Sequence, residues 1–191
     1  MKTLILASES PRRKQLLKEA GFSFDVASVK VSEIPDKNLN AADQILDIAR
    51  RKARAAFAHL KSSKEQEFTL ISADTEVIVE GELQGKPADK DDAFKMLRRL
   101  SGKSHDVQTG VCIIDSATGK ELSQIETTKV FFRNLTDQEI WTYIETGEPM
   151  DKAGAYGIQG LGGNFVEKIE GPFDNVVGLP VQLVKNLLTQ I

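Results

Sequence analysis

Two rhythms of apolar and polar positions run through the chain, one of short strand-like runs and one of helical spacing. Leu4 to Ala7 is a continuous apolar run, the pattern of a strand buried on both faces. Ser10 then caps a helix, Pro11 fits its first position, Leu16, Leu17 and Ala20 form its apolar stripe, and Gly21 ends it. Phe24 to Val31 reads as an alternating strand leading into the loop Ser32-Glu33-Ile34-Pro35. Asn40, with Asp43 in the first turn, starts a long helix that runs to about Leu60, followed by a polar connection from Lys61 to Glu67. Phe68 to Val79 predicts a β-branched strand, and Glu80-Gly81 turns it into a hairpin to Leu83. Asp89 caps a helix carrying Ala93, Met96, Leu97 and Leu100, which Gly102 ends.

Segments His105 to Asp115 and Lys120 to Phe132 predict a long hairpin around Ser116-Ala117-Thr118-Gly119. Thr136 with Glu139 has the spacing of a capping box, and Leu135 with Ile140 that of a hydrophobic staple, for a helix that stops at Gly147. A glycine-rich stretch, a strand over Phe165 to Ile169 and a last helix from near Pro180 complete the chain. Helices interspersed with both long hairpins and short buried strands predict an α/β fold with a mixed sheet.

With 191 residues, 40% of them hydrophobic, the chain can bury a core as one domain or as two closely joined lobes. Net charge is −3, so no general basic field exists to hold nucleic acid, and a polyphosphate ligand would need local cations and a metal. The single cysteine, Cys112, excludes an internal disulfide, fits a reducing compartment, and lies in an apolar run as a small hydrophobe. No apolar run reaches membrane-spanning length, and the first one ends too early, at Ser8 and Glu9, for a signal peptide. A cytoplasmic protein with no membrane partner is the expectation.

The first strand, turn and helix N-terminus aim free backbone N–H groups at one spot, beside the hydroxyls of Ser8 and Ser10 and the guanidinium groups of Arg12 and Arg13. Cations in a first turn oppose the helix dipole unless an anion joins them. That favours a phosphate site over a solvated basic surface. Lys52 projects from within or beside the apolar stripe of Ile45, Ile48, Ala49 and Ala56, so it must snorkel, pair with a carboxylate or face a cleft; Arg50, Arg51 and Arg54 point to the polar side. Asp74 interrupts an apolar strand, which is costly unless it is paired or metal-bound; the plain alternative is a wet face shared by Ser72, Asp74 and Glu76. Glu33 reads as an ordinary solvated loop position. Lys86, between Gly85 and Pro87, either holds its ammonium at a fixed height or marks a plain turn. His105 is a ligand contact or, more commonly for its type, structural. Gly157 to Gly163 is not a dinucleotide fingerprint; it lets backbone approach a ligand or a neighbouring strand, and its Gln159 could pair with a base edge.

Together, Ser8-Glu9-Ser10-Pro11-Arg12-Arg13, Glu33, Ala49-Arg50-Arg51-Lys52-Ala53, Ala73-Asp74-Thr75, Gly85-Lys86-Pro87, Leu100-Ser101-Gly102 and Gly154-Ala155-Tyr156-Gly157-Ile158-Gln159-Gly160 resemble the Maf family of nucleotide pyrophosphatases, also called septum formation inhibitors. The resemblance covers residues 1–191 as a single Maf-like domain. It implies a two-lobed fold similar to inosine triphosphate pyrophosphatases, a curved mixed sheet flanked by helices with a central nucleotide cleft. The implied reaction converts a nucleoside triphosphate to monophosphate and pyrophosphate with Mg²⁺ or Mn²⁺, and a homodimer is common in the family. Asp74 matches the proton acceptor, and Arg12, Thr75 and Gln159 match positions linked to base choice. This set resembles the branch acting on dTTP and UTP. The 7-methyl-GTP branch instead has Trp after the Ser-Pro pair, Gln after the strand Asp and Glu at the place of Gln159.

In that frame Ser8, Ser10, Arg12, Arg13, Lys52 and Lys86 supply donors and charge for the phosphates, while Glu33 and Asp74 are hard oxygen ligands suited to Mg²⁺. Asp74 would orient or deprotonate a water at the α-phosphorus. A nucleotide-sensing regulator of cell division is the competing reading; it needs the cations but has less use for Asp74. A nucleic-acid-binding protein is disfavoured by the charge.

Overall fold

The computed structural model describes residues 2–62 and 66–191; residues 63–65 of the expected polar connection lie outside the described residues. The chain divides into two compact units, Met1–Asp74 with Thr109–Glu126 and Gly178–Ile191, and Thr75–Gln108 with Thr127–Val177. The fold is α/β around a mixed, open seven-stranded sheet whose strands run in the order β2 (Asp25–Val26), β1 (Thr3–Leu6), β3 (Phe68–Val79), β5 (Ser104–Asp115), β6 (Glu121–Phe132) and β7 (Val166–Glu170), with β4 (Glu82–Leu83) on β3.

In the first unit, β1 (Thr3–Leu6) runs parallel to β2 (Asp25–Val26) and to β3 (Phe68–Val79), with Leu6 opposite Val26 and Ile71. The strands are continuous apolar runs because both faces are covered. On one face Ile5, Ala7, Phe68, Leu70, Cys112 and Ile114 meet Ala49, Ala53, Ala56 and Leu60 of α2 (Ala41–Lys61). On the other, Leu6, Ile71, Ala73, Val111 and Ile113 meet Leu17 of α1 (Pro11–Glu19) and Leu183, Val184 and Leu187 of a helix over Val181–Leu188. Cys112 is a buried hydrophobe, its thiol pushed up to about 12 by burial.

The strand expected over 24–31 shrinks to Asp25 and Val26. Only these two lie opposite β1, which ends at Leu6 and turns away toward α1; the N–H of Ala27 makes the last bond, to the Leu6 carbonyl. The next residues therefore have no strand to extend, and their alternation carries no sheet.

In the second unit, the end of β3, the start of β5 (Ser104–Asp115) and the end of β6 (Glu121–Phe132) pack with α3 (Lys90–Leu100) and α4 (Asp137–Glu145). The capping box of Thr136 and Glu139 forms, and Leu135 and Ile140 are both buried in the same cluster. β7 (Val166–Glu170) pairs antiparallel with β6, and a short α5 (Phe173–Val177) that the pattern did not announce precedes the last helix, α6 (Val181–Leu188). Buried Asn175 in α5 donates to the Val107 carbonyl and the Thr128 hydroxyl.

His105 is structural. Its ring lies edge-on to Phe132 and Tyr156, and its Nε2 is 2.8 Å from the Tyr156 hydroxyl. Burial lowers its pKa to about 4. An ordinary histidine in the unfolded chain protonates near 6.5, so the unfolded state binds the extra proton as pH falls from 6.5 toward 4. Stability from this group is therefore complete above pH 6.5 and lost down to pH 4, by about 3 kcal/mol in all. Urea unfolding across that range should reveal the loss, and His105→Phe should flatten it; an equally steep slope in the variant would assign the acid sensitivity elsewhere.

Candidate active site

Strand register and helix spacing bring three charges of the first unit together. Successive side chains of a strand alternate faces, so Asp74 shares the face of Phe68 and Leu70, which α2 covers. Lys52 lies one turn from Ile48, Ala49 and Ala56, all buried, and so reaches the same face. Its ammonium sits 2.7 Å from Asp74 Oδ1 and 2.7 Å from Glu33 Oε1. Lys52 thus pairs with carboxylates rather than snorkelling. The wet-face alternative for β3 fails at Ser72 and Asp74, 0% and 6% exposed. Glu33 is exposed but is no idle loop residue, since it closes the trio.

The loop that carries Glu33 is held by the residue next to Lys52. Arg51 donates from Nη1 to the Ser32 carbonyl and from Nη2 to the Ile34 carbonyl (2.9 Å), while its Nε bonds Asp47 at 2.8 Å. The carbonyls on both sides of Glu33 are therefore fixed to α2. Arg51 was expected on the polar face with Arg50 and Arg54, and it is on that face, but all three are engaged: Arg50 on Ser123 and Arg54 on Glu121. A signal for Arg51 exists only in its adjacency to Lys52.

The strand–turn–helix forms as expected. β1 ends at Leu6, the Ala7 N–H bonds the Ile71 carbonyl, and Ser10 caps α1 by accepting from the Arg13 N–H. The Ser8 hydroxyl accepts from the Ser10 N–H and from Arg13 Nη1, each at 3.3 Å. A hydroxyl that accepts keeps its own hydrogen to donate. Arg13 also donates through Nε to the Gly178 carbonyl at 2.8 Å. Desolvation lowers its pKa, Asp74 and Glu33 raise it, and Arg12 lowers it further, so the guanidinium belongs to the same electrostatic group as the carboxylates. Arg12 is half-buried beside it.

The second unit holds Thr75, Lys86 and Gln159. Thr75 follows Asp74 on β3 and is half-buried. Lys86 is exposed after Gly85, whose φ of +58° suits glycine and whose carbonyl accepts from the Gly154 N–H, so the turn is tied down. Gln159 is exposed in the turn closed by the Gly160 N–H on the Gly157 carbonyl.

The sequence profile described as "Maf-like protein" matches residues 3–191. The chain belongs to the Maf family. Curated relatives in the family include a "dTTP/UTP pyrophosphatase" of Bdellovibrio bacteriovorus, 70% identical over 98% of this chain and 97% of that one. Another with the same name, from Caldicellulosiruptor bescii, is 46% identical over 100% of this chain and 96% of that one. Among solved structures, a nucleoside-triphosphatase / dITP/XTP pyrophosphatase of Mycobacterium abscessus overlaps at 13% identity with a TM-score of 0.44, covering 99% of this chain and 92% of that chain, a distant likeness.

Among the described residues of this Maf protein, no three His, Cys, Asp or Glu side chains form a metal cage. The carboxylates of Glu33 and Asp74 are still oxygen donors of the type a hard cation takes while keeping several waters. Asp74 Oδ2 is buried and accepts no hydrogen bond from a described residue, an orphan that a cation would satisfy.

The arrangement has a stability signature. Lys52→Ala leaves a buried carboxylate uncompensated and should cost about 3 kcal/mol in urea unfolding. Asp74→Asn keeps an oxygen for Lys52 and removes a buried charge, so it should stay within about 1 kcal/mol of the parent. Matching midpoints for Lys52→Ala and the parent would show that the lysine does not hold the carboxylates.

Proposed function

We propose that the chain is a nucleoside triphosphate pyrophosphatase that hydrolyses dTTP and UTP to the monophosphate and pyrophosphate. The observation that carries the reading is the trio Glu33–Lys52–Asp74, two carboxylates on one ammonium at 2.7 Å, in a chain 70% identical to a dTTP/UTP pyrophosphatase. Polyphosphate cleavage calls for cations against phosphate oxygens and a carboxylate for the attacking water. Ser8, Ser10, Arg12, Arg13, Lys52 and Lys86 are the proposed phosphate-binding groups. Asp74 orients the water and takes its proton; the water oxygen bonds the α-phosphorus and the α–β bridging oxygen leaves with pyrophosphate.

Glu33 and Asp74 are the proposed ligands of Mg²⁺ or Mn²⁺, which when bound polarises phosphate oxygens and neutralises their charge. Lys52, bonded to both carboxylates, offsets their mutual repulsion and holds them close together. Thr75, Gln159 and Arg12 are proposed to choose the base: the Gln159 amide has both a donor and an acceptor, as the N3–H and carbonyl edge of uracil or thymine requires. A 5-methyl group adds little bulk, which is why dTTP and UTP are both accepted. A cytoplasmic setting and a homodimer complete the proposal.

The bond broken is the first test. Incubation with dTTP and Mg²⁺ should yield dTMP and pyrophosphate, and almost nothing in excess chelator. Diphosphate and orthophosphate as products would mean attack at the γ-phosphorus and end this reading. Asp74→Asn, folded as above, should lose on the order of a hundredfold or more in kcat; near-normal turnover would remove Asp74 from the reaction.

Competition in one vessel tests the base. dTTP and UTP should be consumed ahead of CTP, since a mispaired buried donor costs about 1–3 kcal/mol. Preference for 7-methyl-GTP would overturn the pyrimidine assignment while leaving the pyrophosphatase reading intact.

A further inference from the structure

The glycine-rich segment is shaped by one acidic side chain. Gly147, at φ +77°, ends α4, and Glu148 begins the single helical turn Glu148–Asp151 directly after it. Glu148 Oε2 accepts from the Leu161 N–H at 3.0 Å, and Oε1 from the Gly162 N–H at 3.2 Å and the Tyr143 hydroxyl at 2.8 Å. The same Tyr143 oxygen accepts from the Gly157 N–H at 3.2 Å. Both ends of the turn are therefore tied to one carboxylate–phenol pair, with Gln159 midway between Gly157 and Leu161.

The glycines are there for this approach. A Cβ on Gly160 would lie 2.4–2.5 Å from the Glu148 carboxylate, and one on Gly162 would lie 2.7 Å from the Tyr143 hydroxyl. Burial pushes the Glu148 carboxyl up, but the two N–H groups, the phenol and the Lys152 ammonium outweigh it and hold it below the usual carboxylate range. Tyr143 is buried in the core, whereas the Glu148 carboxylate, among the described residues, bonds backbone in this loop.

We infer that Glu148, braced by Tyr143, is a positioning residue that fixes the Gly157–Gly163 loop and through it sets discrimination between pyrimidine bases at Gln159. The inference rests on the base-choice role proposed for Gln159. A carboxylate suits the task because both of its oxygens accept, and the three donors arrive from different directions. In Glu148→Gln one of those oxygens becomes an NH₂ facing an N–H or a hydroxyl, so the loop loses at least one anchor.

The experiment compares Glu148→Gln, Tyr143→Phe, Gln159→Ala and the double variant Glu148→Gln/Gln159→Ala in steady-state kinetics on dTTP, UTP and CTP, with amide exchange of the loop. Glu148→Gln should keep kcat on dTTP within about threefold, raise KM about tenfold and lower the dTTP-over-CTP ratio about tenfold. Exchange over 157–163 should quicken. Tyr143→Phe, which frees the Gly157 end and removes the brace on Glu148 but leaves the bonds to the Leu161 and Gly162 N–H groups, should move the same quantities less; it keeps the test alive if Glu148→Gln does not fold. The double variant should discriminate no worse than Gln159→Ala alone, because both act on one contact.

If Gln159→Ala loses discrimination and folded Glu148→Gln keeps it, the inference falls while the role of Gln159 stands. If Gln159→Ala itself keeps discrimination, the base-choice reading falls and the inference with it. An equal fall in kcat for all three nucleotides, with KM and preference unchanged, would also overturn it.

Discussion

A carboxylate inside an apolar strand is tolerable only with a cation against it, and this constraint organises the first unit. β3 buries its residues on both faces, so Asp74 has no water to turn to. Lys52 answers it, and a lysine can do so only from α2, the helix that covers that face. The small residues Ala49, Ala53 and Ala56 let α2 lie close enough for the reach. One lysine between two carboxylates leaves the trio a net negative charge. The Arg13 guanidinium, coupled to both Asp74 and Glu33, adds a second positive charge to the same group.

Positions whose role is set by local spacing were legible in the chain. The caps at Ser10, Asn40, Asp89 and Thr136 each rest on a side chain and an N–H three residues on, and all four form. The buried strands were visible as apolar runs, and the hairpin at residues 115–120 as turn chemistry. Lys52 and Asp74 could each be singled out, because a charge amid apolar neighbours is anomalous in a sequence. Their pairing could not, because it joins residues 22 positions apart through a helix-on-sheet contact that no spacing rule encodes.

What escaped the sequence has the same cause. Residues 27–31 keep a strand's alternation yet lie beyond the end of their only neighbour, a fact fixed by where β1 turns, not by their own side chains. Arg51 and Glu148 look like ordinary surface charges, and each acts by bonding backbone groups: Arg51 the carbonyls flanking Glu33, Glu148 the N–H groups beyond Gln159. Backbone partners have no letter in the sequence. The glycines at 160 and 162 did signal a close approach, but the approaching group is a carboxylate and a phenol of the protein itself, not a ligand.

Each unit holds one exposed side chain on a loop gripped through its main chain. In the first, Arg51 grips the carbonyls on both sides of Glu33; in the second, Glu148 grips the N–H groups beyond Gln159 and Tyr143 the Gly157 N–H before it. A grip on main chain does not depend on the side chain at position 159, whereas Glu33 is held a second time by its ion pair with Lys52. A change of residue at position 159 therefore comes at little cost to the fold. The Lys52 trio allows no such freedom, since each of its members is fixed by the charge of the other two.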